Sequence, residues 1–287
     1  MKGRYWMGAC LMAWAFVVVA GSGTVAVRKQ IEASMLLTGT IDIAADGRVT
    51  GHALDHPEKL EAGVIGLVGR TLPTWRFEPV VSGGKAHEAT AKMSLLIVAN
   101  KLDADHFTVR IRSANFADAD EPAGSTLRSK QLEPPGYPAN ALRDGVSGTA
   151  YAVVRVDRLG RVADAAVEQV NLRVIGTPSQ MASWRDAFAQ ATEKAARKWQ
   201  FTPPVTGRHV NDQYWSARVP CAYYASAVGS GEPKYGRWQP YVPGPRQVIP
   251  WLNGAGEDIA SSPDAMLAGG VYQLGEGLRL LTPLGEG

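Results

Sequence analysis

Cysteine is almost missing from this sequence: Cys10 and Cys221 are the two among 287 residues. So few thiols exclude a disulfide framework and a thiolate zinc site. An excess of one charge is missing too. The 30 Lys+Arg and 27 Asp+Glu leave a formal charge of +3, without the basic surplus that phosphate binding needs, which argues against nucleic acid as a partner. No Gly-x-Ser-x-Gly elbow occurs, and the Gly-Ser runs at 21–23 and 229–231 lack the Gly-Lys-Ser/Thr of a phosphate loop. What is present is ordinary: 45% apolar residues and a length that suits one or two folded domains.

The chain begins like an exported protein. Lys2 and Arg4 precede an apolar run from Trp6 to Ala20, followed by Gly21, Ser22, Gly23, Thr24 and Ala26. That order is a signal peptide's, with cleavage after Ala20 or Ala26. The alternative is a retained anchor, since Tyr5 to Val27 is uncharged and long enough to span a bilayer. Either way Arg28 onward lies outside the cytoplasm, because the positive end stays inside. Residues 1–26 are thus a signal peptide or anchor, the chain's one expected membrane contact. If they are cleaved, Cys10 leaves with them.

The body repeats one unit. Trp75-Arg76-Phe77-Glu78-Pro79 and Trp199-Gln200-Phe201-Thr202-Pro203 each continue through a valine to Ser/Thr-Gly. Upstream of each, an alternating run turns at glycine and resumes with Arg-Val: Ile41 to Val49 through Gly47, and Val154 to Val162 through Gly160. Alternation of period two is a half-buried strand's signal, and glycine supplies the turn. Between hairpin and motif each unit has a helical stretch. Residues 57–72 place Leu60, Val64, Leu67 and Val68 on one face, with Pro57 in the first turn. Residues 181–198 align Trp184, Phe188, Ala191 and Ala195, with Ser179 as the expected cap. Trp and Phe sit two apart, so both should face the helix stripe.

A strand follows each motif, at 88–99 with Met93, Leu95 and Ile97 inward, and at 212–223. The first unit adds 107–116, with Val109 and Ile111 in phase. The fold class expected is α+β: two β-β-α-β modules at 28–116 and 136–228, each with a helix on a small antiparallel sheet. A polar, mobile linker at 117–135 joins them. The tail, 229–287, holds 12 Gly and 7 Pro in 59 residues, a composition of irregular chain. Its aromatics Tyr235, Trp238, Tyr241 and Trp251 are suited to packing back on the body.

The second unit resembles the C-terminal domain of TonB-type energy transducers. The motifs are Tyr137-Pro138, Ala141, Gly145 and Gly148, then Val156-Asp157-Arg158-Leu159-Gly160-Arg161-Val162, then Trp199 through Phe201 and Pro203. The resemblance covers about 133–224. Residues 36–116, with Trp75, Phe77 and Pro79, look like a divergent copy without the Tyr-Pro pair. It implies a non-enzymatic periplasmic domain, without cofactor, that binds a protein partner such as an outer-membrane receptor by strand pairing at a sheet edge. The expected edge is the last strand, with Asp212, Tyr214, Trp215, Ser216 and Arg218 as partner residues and Pro220 limiting the pairing. The family pattern also has a functional histidine in its anchor and a long proline-rich spacer. Here no His precedes His52 and no Pro precedes Pro57, which argues against energy transduction even where receptor-like binding is retained. The alternative is an envelope assembly adapter that reuses the fold.

Enzymatic candidates are sparse. His52, Asp55 and His56 have metal-like spacing but no further ligand nearby to complete a site, and read as a solvated loop. Asp103, Asp105 and His106 read as a charged turn, and His209 beside Arg208 as a hairpin turn. Cys221 reads as a small buried residue. N-terminal sequencing of the protein from the envelope fraction should find Gly21 or Val27 if the leader is cleaved. Met1, with membrane retention, would mark an anchor.

Overall fold

The computed structural model describes residues 32–101, 107–118, 122–225, 234–252 and 263–284. The N-terminal apolar segment with Cys10, the Asp103-Asp105-His106 turn and parts of the tail lie outside these. In the first half, β1 (Glu32–Ile43) turns at Gly47 into β2 (Val49–Leu54). A 3-10 turn at Pro57–Lys59 leads to α1 (Ala62–Thr71) and the Trp75–Phe77 motif. A small hairpin, β3 (Val80–Ser82) with β4 (Lys85–His87), precedes the long β5 (Ala89–Lys101) and β6 (Phe107–Asp118). β1 pairs β5 from Ala33↔Ala99 to Ile43↔Ala89, and β5 pairs β6. The inward residues Leu37, Ile41, Met93, Leu95 and Ile97 meet Val64, Val68, Leu72, Trp75 and Phe77 in one core.

β6 departs from simple alternation. Its register slips between Leu96↔Ser113 and Ile97↔Ile111, leaving Arg112 as the extra residue of a bulge. Ile111 faces the core before the slip and Ala114 and Phe116 after it. Val109, expected beside Ile111, pairs with Ala99 near the strand's end and is 38% exposed.

Residues 122–135, expected as a mobile linker, are folded. Leu127 is buried and β7 (Arg128–Gln131) pairs with the second Trp-x-Phe motif. Composition hid this because a strand edge binds backbone, whatever the side chains. Then come α2 (Ala139–Arg143), β8 (Gly148–Asp157), β9 (Val162–Leu172), α3 (Pro178–Ala196), β10 (Gln200–Thr202) and β11 (Tyr214–Tyr223). The tail adds β12 (Gln239–Tyr241) and β13 (Tyr272–Gln273). The second sheet runs β13-β11-β8-β9. Its central strand β8 is buried on both faces from Gly148 to Val154.

α3 is capped two residues earlier than expected. Thr177, not Ser179, closes a capping box with Gln180, and Pro178 takes the first helical position, where its missing N–H costs nothing. The buried stripe is Met181, Trp184, Phe188, Thr192 and Ala196; Ala191 and Ala195 flank it half-buried.

The two aromatic motifs meet their turns alike. Phe77 N–H donates to Gly47 O at 2.8 Å, and Phe201 N–H to Gly160 O at 2.8 Å. A Cβ on either glycine would fall 2.0 Å from that phenylalanine's carbonyl oxygen, and both have positive φ, +81° and +77°. Trp75 and Phe77 enter one core, Trp199 and Phe201 the other. Pro79 is exposed, and Pro203 lies near Gly160.

Gly47→Ala and Gly160→Ala should each lower unfolding free energy by at least about 1–2 kcal/mol, from φ strain before the clash is counted. Gly63→Ala, in α1 with open space around it, should raise it by about 0.5–1 kcal/mol. Urea titration reads both signs.

Candidate functional site

Residues of an antiparallel strand direct N–H and C=O together to one side, alternating along the chain. On β11, Ser216 O accepts Leu274 N–H at 2.8 Å and Pro220 O accepts Gly269 N–H at 3.0 Å. The even-numbered residues Tyr214 to Ala222 therefore point their backbone groups away from β8. Pro220, which has no N–H, stands in that outward set, so the β8–β11 ladder runs unbroken from Tyr214↔Asp157 to Tyr223↔Gly148. The edge is real but not bare: β13 lies on it, with Ala217↔Gln273 and Arg218↔Tyr272.

The expected partner residues separate. Asp212 precedes the strand and accepts from His209 Nδ1 at 2.7 Å. Tyr214 is 47% exposed, with the Arg155 guanidinium 4.8 Å from its ring centre. Trp215 points into the core, its Nε1 donating to His209 O at 2.9 Å. Ser216 offers the carbonyl already described. Arg218, expected at the partner surface, is 5% exposed and makes a two-pronged bond to Glu168, at 2.7 and 3.1 Å. Arg246 reaches the same carboxylate at 2.5 Å. β11 pairs β8 and β8 pairs β9, so Arg218 spans the sheet to Glu168, a pairing that strand alternation alone does not reveal.

The family motif residues form scaffold. Tyr137 OH donates to Val146 O at 2.5 Å, and its ring meets Phe188 and Tyr223 edge-on at 5.8 and 5.5 Å. Pro138 O accepts Leu142 N–H at the start of α2. Gly145 has φ +66°, and a Cβ on Gly148 would lie 2.6 Å from Asn171 O. Trp199 Nε1 donates to Glu133 O at 2.8 Å.

The tail does more than its composition indicates. β12 pairs β1 at Glu32↔Tyr241. Val242 exchanges backbone bonds with Leu172, and Gln247 N–H donates to Glu168 O, both on β9. A cleft of about 580 Å³ lies here, lined by Arg112, Gln169, Arg185, Gly244, Arg246 and Asp264 among others. Arg185 donates to the carbonyls of Val170, Val242 and Pro243. Asp264 is buried, accepting from Tyr241 OH at 2.5 Å and Asn171 Nδ2 at 2.7 Å, with Arg112 Nε 3.9 Å away. Burial pushes its carboxyl above the usual range, against these hydrogen bonds. Neither Glu168 and Asp264 as buried anchors nor β13 as a strand was read from the sequence. For β13 a signal existed: Val271-Tyr272-Gln273-Leu274 is a short strand-like run between Gly270 and Gly275.

Enzymatic candidates disperse. Asp55 accepts from Thr38 Oγ1, while His56 lies against Tyr235. Burial lifts the Cys221 thiol to about 12, which keeps it protonated and unreactive. Among the described residues no three His, Cys, Asp or Glu are placed to hold a metal ion. Nor is any helix among them long and apolar enough to cross a membrane.

No family model matches the chain, and no solved structure matches it. Two curated relatives do, each named Protein TonB, from two strains of Xanthomonas campestris pv. campestris. Each is 34% identical over 97 residues, which is 34% of this chain. The match spans 36% of each relative's length. It supports a TonB-like C-terminal domain within a chain of mixed α and β structure, mostly antiparallel.

A carboxyl whose pKa is raised on folding holds its proton more tightly in the native state. Its stabilising effect is then full below the ordinary value of 3.8 and is lost as pH rises through the raised one. The stability of the native protein relative to Asp264→Asn should therefore grow as pH falls through the raised value towards 3.8 in urea titrations. A constant difference would show that Asp264 does not titrate there.

Proposed function

We propose that this is a non-enzymatic protein-binding component of the cell envelope, acting on the periplasmic side. Residues 136–228 are the TonB-like module. Its partner is a segment of an outer-membrane TonB-dependent receptor, taken up as an added strand on the outward edge of β11, in the service of transport across that membrane. The observation that carries this reading is the 34% identity to the Protein TonB relatives over 97 residues. An antiparallel sheet whose outer strand already accepts one short strand agrees with it. Residues 28–116 are a divergent copy of the same module; the matching Phe-to-Gly bonds at Gly47 and Gly160 support this.

The second reading, a periplasmic assembly adapter without energy transduction, is favoured by one observation: the tail already occupies the β11 edge.

Immobilised N-terminal segments of outer-membrane receptors should retain the full-length protein. Substituting Tyr214→Pro, which removes an outward N–H from the strand's exposed end, should weaken that retention about tenfold while leaving the fold intact by circular dichroism. If no receptor segment is retained and receptor-dependent uptake survives deletion of residues 136–228, the adapter reading replaces the transport one.

A further inference from the structure

The strand on the β11 edge is short, and on both sides the chain is anchored by something else. Met266 is buried before it, next to the buried Asp264. Leu280 is buried after it, in the core of the first sheet. Between these anchors run Gly269, Gly270, Gly275 and Gly277, three of them with φ between +80° and +90°. The paired stretch is two residues long, against ten for β8 on the opposite side of β11. Such a segment can lift away as a loop while both of its ends stay seated, because lengthening a loop costs little entropy.

Its contacts also describe a ligand. Val271 packs on the second core. Gln273 lies on the same side of the tail strand and its Oε1 accepts Leu127 N–H at 2.7 Å. Tyr272 OH turns back to Leu267, accepting its N–H at 2.9 Å. Leu274 N–H supplies the bond to Ser216 O. Beyond Arg218 the groove offers one more acceptor, Pro220 O, taken by Gly269 N–H at 3.0 Å, and no donor. Beyond Leu274 the chain is clasped by Arg208, which donates to Gly275 O at 2.6 Å and to Glu276 at 3.1 Å.

We propose that residues 267–276 are a built-in pseudo-partner: they fill the β11 groove until an extended segment of similar pattern displaces them. That pattern is an aliphatic residue, any residue, an amide, then an aliphatic residue, in the places of Val271 to Leu274. The inference rests on the reading of β11 as the docking edge, and adds to it the partner's chemistry and a self-occluded resting state. Occlusion lowers apparent affinity by the fraction of molecules whose groove is open.

A fluorescein-labelled peptide of residues 267–276 serves as the probe, with the full-length protein and its Leu274→Pro variant, which loses the donor to Ser216 O. The peptide should bind the variant at least about tenfold more tightly than the native protein. Replacing glutamine by alanine in the peptide should weaken it several-fold. Equal affinity for both proteins, or binding to neither, overturns the proposal. Receptor segments run on the same pair separate the two readings. Segments that bind both proteins equally preserve the docking function and sink the occlusion. A tail peptide that prefers the variant, with receptor segments binding neither, preserves occlusion and sinks the receptor. Should Leu274→Pro not fold, hydrogen exchange on the native protein decides. Tyr272 and Leu274 amides should exchange about a hundredfold faster than those of Val153 and Val154 in β8, and equal protection overturns the proposal.

Discussion

An outer strand leaves a row of backbone donors and acceptors that must find partners or water, and the architecture of this chain follows from how that row is satisfied. The tail meets it three times. It pairs β1 through β12, β9 through Val242 and Gln247, and β11 through β13. On β1 it continues the row that β2 begins, since β2 covers Gly39 to Ile43 and β12 covers Glu32 to Ser34. Short pairings separated by turns need glycine and proline, so a composition typical of irregular chain here belongs to a strap.

Charge fixes where that strap lies. Asp264 draws on Tyr241 from the tail, Asn171 from β9 and Arg112 from the bulge of β6. Glu168 is shared by Arg218 of β11 and Arg246 of the tail. Buried ion pairs add little net stability over apolar packing, but removing one partner strands the other, at a cost of about 3–5 kcal/mol. Their effect is to set position: a tail shifted by one residue would part Arg246 from Glu168 and Asp264 from Asn171. The 580 Å³ cleft is the seam where these groups meet.

Much of each core was legible in the sequence. The Trp-x-Phe pairs, the turn glycines and the α3 stripe follow from periodicity, and the structure buries Trp75, Phe77, Trp199 and Phe201. Less was legible where backbone, not side chains, makes the bond. β7 and β13 join sheets through N–H and C=O groups that every residue carries, so polar composition misled at 122–135 and in the tail. Arg218 was misplaced for another reason. Strand alternation puts it on the face away from α3, and only the position of Glu168 two strands over shows that this face is also buried. At Arg112 one inserted residue reversed the alternation, which period-two reasoning has no means to foresee.

The lone thiol of the described body has a use of its own. Cys221 lies on β11, 8% exposed, with its proton held by burial. A maleimide or disulfide reagent needs a solvated thiolate, so it reaches this sulfur only when the strand departs from its neighbours. The rate of its modification is therefore a built-in clock for sheet opening. It ticks without any engineered label, on the strand where binding is proposed to occur.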